Sequence, residues 1–365
     1  MNTDLHSNAE QSAPSHEEPA PLDSYELYWR DRRGMLEDRG YMLRPRYCDQ
    51  GAKEGRVKTT PIDPPLYEHY SVKRPVRTNI MDATRISDGK LVMIKAGSTK
   101  AEEFKTILRL STPELRADPR NPCVPMLDHF VDIYDDQISY IVTPFFRRFD
   151  DPPFQTFQEI LDCIDALLNV CSTDCARENI VIDAAALYPQ GFHPAQLDML
   201  PDLSGPAPIL KRSQAPCRYY FFDYEQSLYI PVEVSPKIAP CWFGWDSDIP
   251  EVEFRGRPYD PFKADVWLLG RVIRREFCCE WSGLEFSYSW ALLMTNDDPA
   301  LRPDAAGCLA TWKDMCSKIS LRRCCARARL RYNDRPTTES RVQDLLSYMR
   351  ALRQCAIDML RPSYI

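Results

Sequence analysis

Asp174-Cys175-Ala176-Arg177-Glu178-Asn179 runs directly into the apolar stretch Ile180-Val181-Ile182, closed by Asp183. No other stretch constrains the chain as much. A strand-like run pins the loop before it, so Asp174 and Asn179 must protrude from one short, anchored loop. That is the wiring of a phosphoryl-transfer loop. Taken alone, the same pair also fits a solvated turn, and its companions along the chain have to decide.

Those companions come in a definite order. Leu91-Val92-Met93-Ile94 is an apolar, strand-like run ending in Lys95, and Tyr219-Tyr220-Phe221-Phe222 is a second one ending in Asp223. A strand that ends in a carboxylate can deliver it to a cleft as a metal ligand. Ile249-Pro250-Glu251, Asp265-Val266-Trp267-Leu268-Leu269-Gly270 and Asp298-Pro299-Ala300-Leu301-Arg302-Pro303 follow.

Composition removes several alternatives. A net charge of -7 argues against a nucleic-acid or anionic-membrane binder, which needs a basic face. The 14 Cys include no C-x-x-C pair, and with only five His there is little for a zinc site. The polar N-terminus has no apolar signal segment, so the thiols read as reduced and largely buried. No run approaches the roughly 20 apolar residues of a membrane span. We expect an intracellular protein, cytoplasmic with a nuclear location left open.

The sequence divides into five parts. Residues 1–22 are too polar to offset ordering entropy and read as a disordered tail. Residues 23–66 read as a helical extension around Tyr25, Leu27, Tyr28, Trp29, Met35 and Leu36, with a linker at Pro61, Pro64 and Pro65. Residues 67–146 read as a small strand-rich lobe with strands at 79–86, 91–96 and 138–146 and a helix from about Thr99 to Leu110. Residues 147–328 read as a helical lobe, with helices at 157–168, 261–277, 287–294 and 305–316. Within it, the Pro-rich insert 187–216 reads as too polar and broken to be core: a surface excursion or a docking segment. Residues 329–365 read as a basic linker and a closing amphipathic helix at 342–360.

Met81-Asp82-Ala83-Thr84-Arg85-Ile86-Ser87-Asp88-Gly89-Lys90, Pro113-Glu114-Leu115-Arg116, Tyr188-Pro189-Gln190-Gly191-Phe192-His193-Pro194 and Tyr259-Asp260-Pro261-Phe262-Lys263 carry a wider likeness. Over about residues 24–320 the chain resembles the kinase-like proteins of mushroom-forming fungi, within the protein kinase superfamily. The resemblance implies an α+β, two-lobed fold with a small β-rich N-lobe and a mainly helical C-lobe. It implies ATP and Mg2+ as cofactors and an unidentified protein as substrate or partner. It also implies roles: Asp174 positions the attacking hydroxyl, Lys95 contacts the α/β-phosphates, and Asn179 and Asp223 hold magnesium. Glu103, rather than Glu102, would pair with Lys95. Thr143 would stand at the gatekeeper position, with Pro144 and Phe146 forming the adenine-binding hinge. Asp265 would brace the catalytic loop, and Arg302 would pair with Glu251.

The departures bear on activity. No Gly-x-Gly-x-x-Gly precedes Lys95, Ser172-Thr173 replaces the usual His-Arg, and Tyr224-Glu225 replaces Phe-Gly after Asp223. The helix before the loop is also short, with room for roughly four turns. Three readings stay open: a Ser/Thr protein kinase, a pseudokinase acting as scaffold or regulator, and a small-molecule phosphotransferase.

Overall fold

A computed structural model describes residues 22–47, 78–169, 175–225, 227–231, 233–239, 249–253 and 258–331, with isolated helical residues between 342 and 353. The N-terminal tail, the Pro61–Pro65 linker, Asp174 and most of the closing helix lie outside the described residues.

Helices α1 (Ser24–Asp31) and α2 (Arg33–Asp38) lead into a two-residue strand β1 (Tyr41–Met42). Next come β2 (Ile80–Arg85), β3 (Leu91–Ser98), α3 (Glu102–Leu110), α4 (Pro113–Ala117), β4 (Asp128–Val131) and β5 (Ile138–Pro144). These strands form one antiparallel five-stranded sheet in the order β1-β2-β3-β5-β4. Side chains alternate between its faces. Met81, Ala83, Val92, Ile94, Tyr140 and Val142 face a core completed by Trp29, Met35, Leu36, Tyr41 and Leu43. The N-terminal extension therefore supplies both an edge strand and a lid over this face, more than the packed helix the sequence suggests. Burying Leu36, fully inaccessible, contributes roughly 1.5–3 kcal/mol. Ion pairs fix the lid: Arg46 to Glu26 at 2.9 Å and Arg32 to Asp132 at 2.5 Å.

On the other face lie Lys95, Gly97, Ile141 and Thr143, with α3 against them. Gly97 is required there: a Cβ at this position would fall 2.8 Å from the ring of Phe104. The missing side chain lets α3 sit close to β3, and that closeness positions the residue before Phe104.

Most of the remaining described residues pack around α5 (Phe157–Asn169), whose Ile160, Ile164 and Leu167 are wholly buried. A small antiparallel sheet of β6 (Arg147–Arg148), β7 (Ile180–Asp183) and β8 (Arg218–Phe221) lies against it. A short helix α6 (Pro250–Glu253) precedes α7 (Pro261–Val272), which is capped by Asp260 accepting from the Phe262 N–H at 2.9 Å. The helical pattern expected through Phe277 continues past Val272 as a π turn over Ile273–Cys278. Helices α8 (Tyr288–Met294), α9 (Ala305–Ser317) and α10 (Leu321–Cys324) complete this part. Gly270 serves close packing, since a Cβ there would lie 2.5 Å from that of Met294 on α8.

The insert at 187–216 runs over the surface for much of its length, as its composition suggests, but it is anchored in the core at a few points. Leu187, Tyr188, Phe192 and Ala207 belong to the main core, and Phe192 packs edge-on to Phe145 with ring centroids 5.5 Å apart. Arg212 is buried too; it donates to Tyr219 Oη at 2.7 Å and to the carbonyls of Phe149 and Pro152, with Phe154 beneath it. Sparse apolar residues in a Pro-rich segment suffice for burial when each lands in a prepared niche. The described cysteines are free thiols. Among the described residues no helix is long and apolar enough to cross a membrane.

Candidate functional site

The site is assembled from three short pieces. Lys95 stands mid-strand on β3 opposite Ile141, with its side chain buried on the face covered by α3. Glu103 is the second residue of that helix. Its carboxylate accepts from Lys95 Nζ at 2.5 Å, while Glu102, a helical step of about 100° away, is exposed and pairs with Lys105. Lys95 Nζ also donates to Asp223 Oδ1 at 3.5 Å and lies 3.9 Å from Glu225.

Asp223 owes its place to the β7–β8 register. Ile180 is opposite Phe221, which brings Asn179 beside Phe222, whose N–H donates to the Asn179 carbonyl at 2.7 Å. Asn179 and Asp223 thus emerge at the same end of the hairpin, both buried. Phe221 and Tyr224 on either side of Asp223 are both anchored in the core. Between these anchors Asp223 bends to φ +85°, a left-handed conformation that is uncommon for a non-glycine residue and clusters at functional sites. Two backbone donors accompany the bend: Tyr224 N–H to Glu103 and Glu225 N–H to Asp223, each at 3.4 Å. The Lys95 ammonium lies 5.3 Å from the Phe222 ring centroid.

Among the described residues, acids outnumber bases here. One ammonium faces carboxylates from Glu103, Asp223 and Glu225, which can bring one oxygen each within 4.8 Å of one another. Burial pushes the Glu103 carboxyl above the ordinary glutamate range, more than Lys95 pulls it down, and the neighbouring acids add to the rise. Such a cluster of hard oxygen donors suits a small divalent cation, and it would repel a bare polyphosphate.

The other residues singled out in the sequence divide between the sheet that carries Lys95, with the segment just after it, and the helical part. Thr143 is buried on β5 opposite Met93, on the Lys95 face, and its hydroxyl donates to the Pro144 carbonyl at 3.2 Å. Pro144 ends the strand, and Phe146 packs on Tyr220 at 5.3 Å between ring centroids. Asp265 is buried on α7. Arg302 and Glu251 form a two-pronged ion pair at 2.6 and 2.7 Å in the helical part. Asp174 lies outside the described residues, so the structure gives no geometry for it.

One brace was missed in the sequence. Arg177, in the 3-10 turn before β7, donates to Asp150 at 2.9 Å and to Glu276 at 2.6 Å. Burial raises the Glu276 carboxyl against the pull of Arg177. The turn holding Asn179 is thus tied to the strand region before α5 and to the π turn after α7. No local signal identifies those partners, because both are distant in sequence.

No known family model matches this chain, and no curated protein is significantly similar to it.

Proposed function

We propose that the chain is a kinase-like protein that binds ATP with Mg2+ and transfers the γ-phosphoryl group to Ser or Thr of a protein substrate. The observation carrying this reading is the buried Lys95–Glu103–Asp223 constellation, with Asn179 emerging beside Asp223. Glu103 holds the Lys95 ammonium in one orientation, and from there it would contact the α- and β-phosphates. Asp223 and Asn179 would hold magnesium, which when bound supplies the positive charge that neutralises the transferring phosphates. Asp174 would orient the attacking hydroxyl, a role that rests on its place in the sequence. The pinned backbone on both sides of Asp223 keeps the carboxylate from rearranging when charge develops, which is how positioning and electrostatics accelerate this chemistry.

A second reading has its own observation. Glu225, 59% exposed, brings a third carboxylate to 3.9 Å from Lys95, where it competes with phosphate for the ammonium. That favours a binding module with weak or absent transfer.

A thermal-shift titration with ATP and MgCl2 tests nucleotide binding, because a ligand of the folded state must raise the midpoint. No shift at millimolar ATP sinks the enzyme. If ATP binds, radiolabelled transfer to a protein mixture should vanish in Asp174→Ala and Asp223→Ala. Binding without transfer supports the module, whereas transfer unchanged by both substitutions overturns the site.

A further inference from the structure

Sharing no residue with the Lys95 cluster, α4, the segment that follows it and β8 border a cavity of about 200 Å³ lined by Arg116, Asn121, Pro125, Arg218 and Tyr220. Its walls are firm. Asn121 donates to the carbonyls of Leu110 at 2.7 Å and Leu115 at 2.9 Å, and accepts from the Cys123 N–H at 2.9 Å. Tyr220 is buried beneath the guanidinium of Arg218, 5.2 Å from its ring centroid.

The two arginines are the unusual feature. In a chain with 53 acidic residues against 46 basic ones, a pocket cation should readily find a carboxylate. Neighbouring arginines do: Arg120 pairs with Asp118 at 2.8 Å and Arg147 with Asp151 at 2.7 Å. Arg116 and Arg218 have no carboxylate within ion-pair distance among the described residues. Each makes one long contact to a carbonyl, Cys123 and Asn121 respectively, both at 3.5 Å. Asp183, cross-strand from Arg218, accepts from the Ala185 N–H at 3.1 Å instead. Burial raises the Tyr220 phenol against the pull of Arg218, the Asp183 carboxylate adds to the rise and Arg116 pulls it down, so both guanidiniums and one carboxylate act on the same ring.

Among the described residues neither guanidinium has an ion-paired carboxylate, which leaves most of their donors to a ligand, and planar forks of this kind match phosphate oxygens. The cavity is smaller than the roughly 300–1,000 Å³ of pockets that hold drug-sized ligands, so the group it takes is small. We propose that Arg116 and Arg218 form a binding site for a phosphate monoester dianion, separate from the Lys95 cluster and independent of the kinase reading. The ester can belong to a free small molecule or to a phosphorylated side chain.

Calorimetric titration of the full chain with O-phospho-L-serine at low salt tests this. One site is expected, weakened about tenfold by Arg116→Ala or Arg218→Ala, since each loses charge-assisted hydrogen bonds. Lys95→Met should leave it intact. Affinity should rise as pH passes the second phosphate ionisation near about 6, while the arginines stay charged. A short phosphoserine peptide that binds more tightly than O-phospho-L-serine assigns the source to a phosphorylated chain; equal affinity assigns it to a free ester. Arg218→Glu, at an exposed strand position, is a second variant and should abolish binding. The site is overturned if the probe fails to bind, if Arg116→Ala/Arg218→Ala binds as wild type, or if only Lys95→Met loses binding.

Discussion

The Lys95 cluster and the Arg302–Glu251 pair are both buried ion pairs, and they are built on opposite plans. Arg302 is fully inaccessible and matched one-to-one by Glu251. The remaining donors of its fork reach the carbonyls of Asn296 at 2.6 Å, Lys263 at 3.0 Å and Asp297 at 3.4 Å. Lys95 instead faces three carboxylates, one of them on a residue at φ +85°. A balanced, satisfied pair holds parts of a fold together. An acid-rich, bent cluster is instead held in place by the fold around it.

If that distinction is right, the largest effect belongs to Arg302→Ala. It strands Glu251 without its guanidinium and removes several carbonyl contacts, and urea unfolding should show a loss of about 3–5 kcal/mol. Lys95→Met should cost less, about 1–2 kcal/mol, because Glu103 already sits above the ordinary range and can take up a proton once the ammonium is gone. Equal costs would erase the difference between the two plans. A larger cost at Lys95 would reverse it, making the cluster the structural element.

The same contrast explains what the sequence allowed to be read. Lys95 and Asp223 could be picked out because each is a charge set directly after an apolar run, although β3 continues through Lys95 to Ser98 and β8 ends at Phe221. Glu103 could be preferred to Glu102, and the helix over it turns that choice into a face. Arg177, Arg212 and the Arg116–Arg218 pocket had no such signal. Each is assembled from residues far apart in the chain, and an arginine that is buried looks the same in sequence as one that is solvated. The anchoring of the insert was hidden for a related reason: its apolar residues are few and follow no period, yet Tyr188 and Phe192 meet edge-on at 4.9 Å under the guanidinium of Arg147. Strand β1 was hidden by its length, since two residues carry no periodicity.

The smallest effect concerns a second balanced pair and tests the comparison by its sign. Asp132 lies between Arg32, at 2.5 Å, and the Tyr140 hydroxyl, at 2.6 Å, joining the α1–α2 junction to the sheet. Burial by itself would raise its carboxyl. The hydrogen bonds from Tyr140, the Tyr134 N–H and Arg32 outweigh that and hold it below the ordinary aspartate value, the opposite of Glu103. A carboxylate lowered in the folded state binds fewer protons there than when unfolded. Its stabilisation is fully present above the unfolded value of about 3.9 and is lost as pH falls through the lower folded one. Between about pH 5 and 3, unfolding free energy should therefore fall more steeply in the wild type than in Asp132→Asn. Parallel slopes would mean that Asp132 is not held low by its partners, and that matched and unmatched carboxylates in this protein titrate alike.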